Sequence, residues 1–403
     1  MKRLGFALML FVAMSSPAWA AKKITVQELK ETLISFLETK KSDQEVGSRL
    51  QVIELSEELT VSTMNSLMKY LPGPLSTQQI YVLEARSADL VPPAADLPAT
   101  PAPDAAAQKA MLAKVETYVT RTYEQLPALK AIKITLRFQD NMEAVANSSG
   151  VVGSATEVDT TAGFSNPASF VHFINSAVAP VVSEHGAEKL AWEKDKTPWG
   201  ANKMIALEEP DPSLGAVFHE ARAAGSIQWL RWELVNGKQA AVYSFAVAKT
   251  KSRLAVNVCC FPNVKQAGVA TFYTGTTAAA LAGSEAAGGG SGGVTGNFQT
   301  STDWHNYKSS VPYHGELFID PDTGTVVRMI TEAELKPSEV VHQVDTRIDY
   351  GPVNVGAKVL MAPVKTVVNT EVVPKGDSGA GGYSTRKTLF LSEYKSYQLD
   401  GAR

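Results

Sequence analysis

Apolar positions recur at two different periods along this chain, and the change of period divides it. From Ile24 to Asp89 the spacing is three and four residues. Val26, Leu29, Leu33, Phe36 and Leu37 form one stripe, and Thr25-x-x-Glu28 ahead of it is a capping box, with Ile24 and Leu29 at staple spacing. Ser42-x-x-Glu45 opens a second helix carrying Val46, Leu50 and Ile53. Val61, Met64, Leu67, Met68 and Leu71 mark a third, stopped by Pro72-Gly73-Pro74, and Ser76-x-x-Gln79 opens a fourth with Ile80, Leu83 and Ala88. Such short helices with narrow stripes predict a small helical domain over residues 21–90, marginal alone and suited to docking on something else. Pro92, Pro93, Pro98, Pro101 and Pro103 among alanines make 91–104 an extended, fairly stiff linker. Asp104 then caps a long helix to about Gln125, with Met111, Leu112, Val115, Tyr118, Val119 and Leu126 on one side and Pro127 ending it.

Beyond Pro127 the period becomes two. Ile132, Ile134, Leu136 and Phe138 alternate with Lys133, Thr135, Arg137 and Gln139, which reads as a half-buried strand. Ser226 to Val235 and Lys238 to Val247 flank Asn236-Gly237, the strongest short hairpin signal. Arg253 to Phe261 follows. Gly315 to Asp320 and Thr325 to Ala333 flank the turn Pro321-Asp322-Thr323-Gly324. Val344 to Tyr350, Lys358 to Val372 and Thr385 to Tyr397 close the series, and a short helix from about Ser213 to Ala224 interrupts it. Consecutive strands with short turns predict an antiparallel meander. The alternation puts Trp229 and Trp232 on opposite faces of their strand, with Leu230 and Leu234 beside Trp232. The segments 141–166 and 274–296 are polar or Gly/Ala-rich loops, and the second is expected to be mobile and dispensable for folding.

Composition narrows the function classes. The 403 residues carry a net charge of −3, which argues against a nucleic-acid partner. No apolar run reaches the ~18 residues of a membrane-spanning helix. Lys2 and Arg3, the apolar run Leu4 to Met14 and the small-x-small triplet Ala18-Trp19-Ala20 together predict a signal peptide over 1–20 and a periplasmic product. Cys259 and Cys260 are adjacent in a strand and exclude a disulfide framework, and the six histidines show no helix-face pair, so no metal site is expected. Asp303-Trp304-His305 and His314-Gly315-Glu316 bracket one loop and could meet in space. Asp320-x-Asp322-x-Gly324 lacks the remaining ligands of a calcium loop and is explained by a hairpin turn. Gly376-Asp377-Ser378-Gly379-Ala380 looks like a chymotrypsin-type nucleophile segment, but no histidine segment supplies its base. The glycine run 288–293 matches two motifs in letters alone. No catalytic residue and no cofactor follow from this.

One stretch is recognisable. Gly315-Glu316-Leu317-Phe318-Ile319-Asp320-Pro321-Asp322-Thr323-Gly324-Thr325-Val326-Val327-Arg328 resembles a hairpin of exported outer-membrane lipoprotein-sorting proteins. Val344 to Tyr350, a Gly351-Pro352 turn and Pro363-Val364 continue the likeness. Leu71-Pro72-Gly73-Pro74 and the region from Leu126-Pro127 to Arg137-Phe138 resemble a wider family of exported proteins on the same plan. In carriers such as LolA and LolB the likeness implies a curved antiparallel half-barrel with helix across its mouth, holding acyl chains. The helical N-terminal domain and the Gly/Ala-rich loop have no counterpart there.

The expected fold is therefore α+β: a helical domain, then a mainly antiparallel half-barrel over 105–403 with the long helix packed on it. The expected function is non-catalytic binding of a lipid, a lipoprotein acyl chain or another apolar ligand. Ile132, Ile134, Leu136, Phe138, Trp232 and Leu317 would line the site, and Met111, Val115 and Tyr118 would form its lid. The alternative is an envelope interaction or sensory protein with a protein partner and no small ligand.

Overall fold

A computed structural model describes residues 23–139, 172–190, 206–208, 213–262, 304–336, 339, 341–372 and 386–400. The predicted signal peptide, both loops 141–166 and 274–296, and the turn 376–380 lie outside the described residues, as do the side chains of Cys259, Cys260 and His305.

The N-terminal helices are α1 (Val26–Glu38), α2 (Asp43–Gln51), α3 (Val61–Leu67) and α4 (Pro74–Arg86). The two capping boxes form as their sequences dictate: Glu28 N–H donates to Thr25 Oγ1 at 3.1 Å, and Thr25 N–H to Glu28 Oε2 at 2.8 Å. Ser42 and Glu45 repeat the exchange. The fourth helix starts two residues ahead of the expected Ser76. Pro74 takes its first position, where no N–H is needed, and the Asp43 carboxylate from α2 accepts from Leu75 and Ser76 N–H, both at 2.9 Å. Leu29, Leu33, Val46, Leu50, Leu59, Leu67 and Ile80 fill the space between these helices.

The strands are β1 (Lys23–Ile24), β2 (Glu54–Leu55), β3 (Leu129–Gln139), β4 (His172–Glu184), β5 (Ala187–Leu190), β6 (Ala206–Glu208), β7 (Gln228–Val235), β8 (Lys238–Val247), β9 (Ala255–Pro262), β10 (Trp304–Ser310), β11 (Tyr313–Ile319), β12 (Val326–Ala333), β13 (Val341–Val355), β14 (Lys358–Val372) and β15 (Arg386–Leu399). Ten of them form one open antiparallel sheet in the order β5-β4-β3-β15-β14-β13-β12-β11-β8-β7. The meander is interrupted: the first strand of the series, β3, lies against the last, β15, and β9 leaves to pair with β6 and β10 in a separate sheet. The two triplets expected to bracket one loop fall on consecutive strands, Trp304-His305 at the start of β10 and His314-Gly315-Glu316 within β11. Gly351 and Pro352 do not turn the chain. β13 runs through them to Val355, after a register shift between Asp349 and Tyr350.

One sheet face carries α5 (Ala105–Tyr118) and α6 (Leu214–Ala224), packed with Tyr243, Phe245, Leu317, Met329, Ile348 and Tyr350 in the largest core. The other face takes the helical domain. Val82, Ala85 and Ala88 pack on Phe138, Val367 and Leu389. Beside them, buried ion pairs join the two units. Arg347 meets Asp349 at 3.1 Å and Glu58 at 3.2 Å, Arg328 meets Asp349 at 2.7 Å, and Lys365 meets Glu84 at 3.1 Å. Burial alone would raise the Asp349 carboxyl, but Arg328 and Arg347 hold it well below the ordinary range. Burial pushes Glu58 up to about 7 against the pull of the same two cations. Breaking such a network from one side leaves buried charge uncompensated, so it fixes where the helices dock.

Two assignments of face are overturned. Ile132, Ile134, Leu136 and Phe138 do not face the helix α5. They lie on the opposite face, with Phe138 under α4 and Leu136 exposed, while Ala131, Lys133, Thr135 and Arg137 are buried on the α5 side. Trp229 and Trp232 share a face. A register shift between Trp229 and Arg231 inserts one residue, and the rings meet edge to face at 4.9 Å.

Candidate functional site

The stripe of α5 makes the first wall. Met111, Val115 and Tyr118 are buried in one core with Leu317. After Tyr118 the helix widens into a π-turn, Val119–Tyr123. Val119, Thr120 and Thr122 are β-branched, which crowds a helix and favours such a departure. The widening swings Tyr123 into the sheet, where its hydroxyl donates to Gly186 O at 2.9 Å and its ring stands edge-on to Tyr350 at 5.8 Å. Gly186 has φ +75°, and a Cβ there would lie 2.1 Å from the Tyr123 ring, so only glycine admits this contact.

The second wall is the end of the β13–β14 hairpin. Between it and the π-turn opens a cleft of about 600 Å³, with Tyr118, Tyr123, Leu126, Val359, Leu360 and Met361 presenting apolar surface. Ala113, Lys114, Thr117, Thr122, Thr323 and Thr325 complete the lining. Lys114 Nζ donates to Pro321 O and Asp322 O, both at 3.0 Å, and so ties α5 to the β11–β12 turn. That turn is closed by the Asp320 carboxylate accepting from Asp322 and Thr323 N–H. Gly324, at φ +76°, brings the turn against the Lys114 backbone, where a Cβ would sit 2.5 Å from the carbonyl carbon. Among the described residues of the lining, Lys114 is the only one of a basic or acidic type.

Among the described residues the Tyr118 hydroxyl has no hydrogen-bond partner, and the residue is only 7% exposed. Burial raises its pKa, so it stays a neutral phenol. On the far side of Tyr123 the sheet turns polar. Lys133 pairs with Glu188 at 3.0 Å, Tyr394 donates to the same carboxylate at 2.6 Å, and Thr135 bonds Ser392 at 2.9 Å. These partners explain why the polar set of β3 is the buried one on this face.

Of the residues expected to form a site, Met111, Val115, Tyr118 and Leu317 come together in the core under α5, and Tyr118 alone reaches the cleft. The four apolar residues of β3 are on the other face. Trp232 lies at the sheet edge, where its indole N–H donates to Pro101 O at 2.8 Å and holds the Pro-rich linker. Leu360 and Met361 were not anticipated. Their signal is the run Val359-Leu360-Met361 at a strand start, where alternation allows an apolar residue only at every second place.

Among the described residues no cluster of His, Cys, Asp or Glu could hold a metal ion, and no helix is long and apolar enough to cross a membrane. No protein-family model, curated protein or solved structure matches the chain.

Proposed function

We propose that this chain is an exported, non-catalytic binding protein that holds an acyl chain or another apolar ligand between its sheet and the helix laid across it. The observation that carries the reading is the cleft, whose volume of about 600 Å³ falls within the range of small-molecule sites. Its lining joins an apolar surface from Leu126, Leu360 and Met361 to a polar border of threonines, as an amphiphile requires. An open sheet with a helix on one face agrees with a half-barrel of the lipoprotein-carrier kind, and the periplasmic address follows from the N-terminal sequence pattern. Native mass spectrometry of protein isolated from the cell envelope tests it: a co-purifying acyl compound is expected. A chain that stays empty and binds no fluorescent fatty acid would overturn it.

A second reading is an envelope interaction protein with no small ligand. The closely packed core at Met111, Val115 and Leu317 favours it. Cross-linking in the envelope that captures one stoichiometric protein partner, with an empty cleft, would establish it in place of the first.

A further inference from the structure

We propose that the seat of the helical domain on the sheet is a proton-operated latch, closed while Asp345 holds a proton and loosened when that proton is lost. The proposal stands apart from the ligand reading and holds whether the cleft is filled or empty. It rests on an excess of carboxylates in the interface. Arg231, Arg328, Arg347 and Lys365 are engaged by Glu58, Glu84, Glu233, Glu316 and Asp349. Among the described residues, none of these cations forms an ion pair with Asp345 or Asp89. Asp345 follows Arg347 on the same face of β13 and is 8% exposed. Glu332 of β12 stands directly opposite it, and like charges so placed across a sheet repel. On its other side Asn369 of β14 donates to Ala85 O at 3.5 Å, so α4 lies over this row. The helical domain adds Asp89, in the turn after α4, whose charge reaches both Asp345 and Glu332.

The remaining neighbours do not restore the balance. Gln343 donates a hydrogen bond to the Asp345 carboxylate but carries no charge. His314, 3.3 Å from Glu332, gains no charge as the pH rises, and Glu316 adds negative charge beside it. Arg347 and Lys23 act on Asp89 through space. Lys387 of β15 is engaged by Glu54 at 3.5 Å and Glu371 at 3.8 Å. A proton is therefore the counter-charge that this corner takes when the domain docks. Burial, with Asp89 and Glu332 nearby, pushes the Asp345 carboxyl up to about 8, and the Asp89 and Glu332 carboxyls move the same way. When the domain lifts, water reaches Asp345 and its carboxyl returns toward the ordinary 3.8. A carboxyl raised on docking favours the docked form fully below about pH 4. Each such proton then weakens docking by about tenfold per pH unit until the raised value is passed. The apolar contacts of Val82, Ala85 and Ala88 persist, so the latch sets how firmly the domain sits.

Amide hydrogen exchange of the full chain between pH 5 and 8, corrected for the intrinsic pH dependence of exchange, tests this. The probes are α4, in the docked domain, and α5, on the opposite face of the sheet. In the unaltered chain the protection of α4 should fall by about tenfold or more per pH unit, while that of α5 holds. Asp345→Asn keeps the shape and cannot ionise, so its slope should be shallower by about tenfold per unit, with firmer protection of α4 at pH 8. A thermal melt checks the fold of the variant. Glu332→Gln, which removes the opposing charge, should flatten the slope as well and carries the test if Asp345→Asn does not fold. Protection of α4 independent of pH, or slopes unchanged in both variants, would overturn the latch. An equal fall in α5 would show that the whole chain opens, and would overturn it too.

Discussion

Replacing Arg347 by methionine should weaken the hold of the sheet on the helical domain far more than removing an exposed charge. Arg347 is 3% exposed and lies 3.1 Å from Asp349, 3.2 Å from Glu58 and 3.9 Å from Glu84. Methionine keeps most of the side-chain volume and removes the cation. Among the described residues, Asp349 then keeps only Arg328, and Glu58 keeps only the same Arg328 at 3.5 Å. One cation cannot balance carboxylates that remain out of water. Breaking a buried pair from one side costs about 3–5 kcal/mol, against under about 1 kcal/mol for a surface pair. Lys395, paired with Glu393 and more than half exposed, supplies the control in Lys395→Met. Urea unfolding measures both, and amide exchange across residues 345–349 and α4 reports where the loss falls. A loss below about 1 kcal/mol for Arg347→Met would refute the reasoning, since it would mean that water reaches these carboxylates.

Other consequences follow from single contacts. Burial, with Asp89 and Glu332 nearby, pushes the Asp345 carboxyl up to about 8 from an ordinary 3.8, so its neutral form favours the fold. That contribution is complete below about pH 4 and is lost as the pH rises through about 8. Asp345→Asn should therefore melt like the unaltered chain near pH 4 and above it at pH 8, and parallel Tm–pH curves would contradict this. Trp232→Phe should cost about 1 kcal/mol in a urea melt, keeping an aromatic ring against Trp229 while releasing the linker carbonyl of Pro101, and proteolysis between residues 91 and 104 should accelerate. Unchanged cleavage would mean that the linker is held elsewhere. Gly186→Ala puts a methyl into the Tyr123 ring at positive φ, so a loss of several kcal/mol is expected by thermal unfolding, on the order of an overpacked core with added backbone strain. A neutral result would show that Tyr123 can leave its place freely.

Features written in neighbouring residues were legible in the sequence. The capping boxes at Thr25 and Ser42, the Asn236-Gly237 hairpin and the Ser213–Gly225 bounds of α6 each depend on residues within a few positions. The face of β3 was not legible, because its polar residues are satisfied from far away. Lys133 finds Glu188 55 residues on, and Thr135 finds Ser392 257 residues on. Alternation shows that a strand has two faces, and long-range partners decide which is buried. The tryptophan pair was misread for a local reason, since one inserted residue reverses a parity argument. Tyr118 was reachable through the stripe of α5. The rest of the cleft was not, because it exists only where the β13–β14 hairpin meets the π-turn, and no short-range pattern records that meeting.

Methyl NMR with isotope-labelled methionine and a spin-labelled fatty acid places the ligand. Met361 lies in the cleft, and Met64 lies in the core of the helical domain, packed on the opposite face of the sheet. The Met361 methyl signal should broaden first and saturate at one equivalent of added ligand, while Met64 stays sharp. Equal broadening of both signals, or an unaffected Met361 with ligand bound, would place the acyl chain elsewhere and contradict the account.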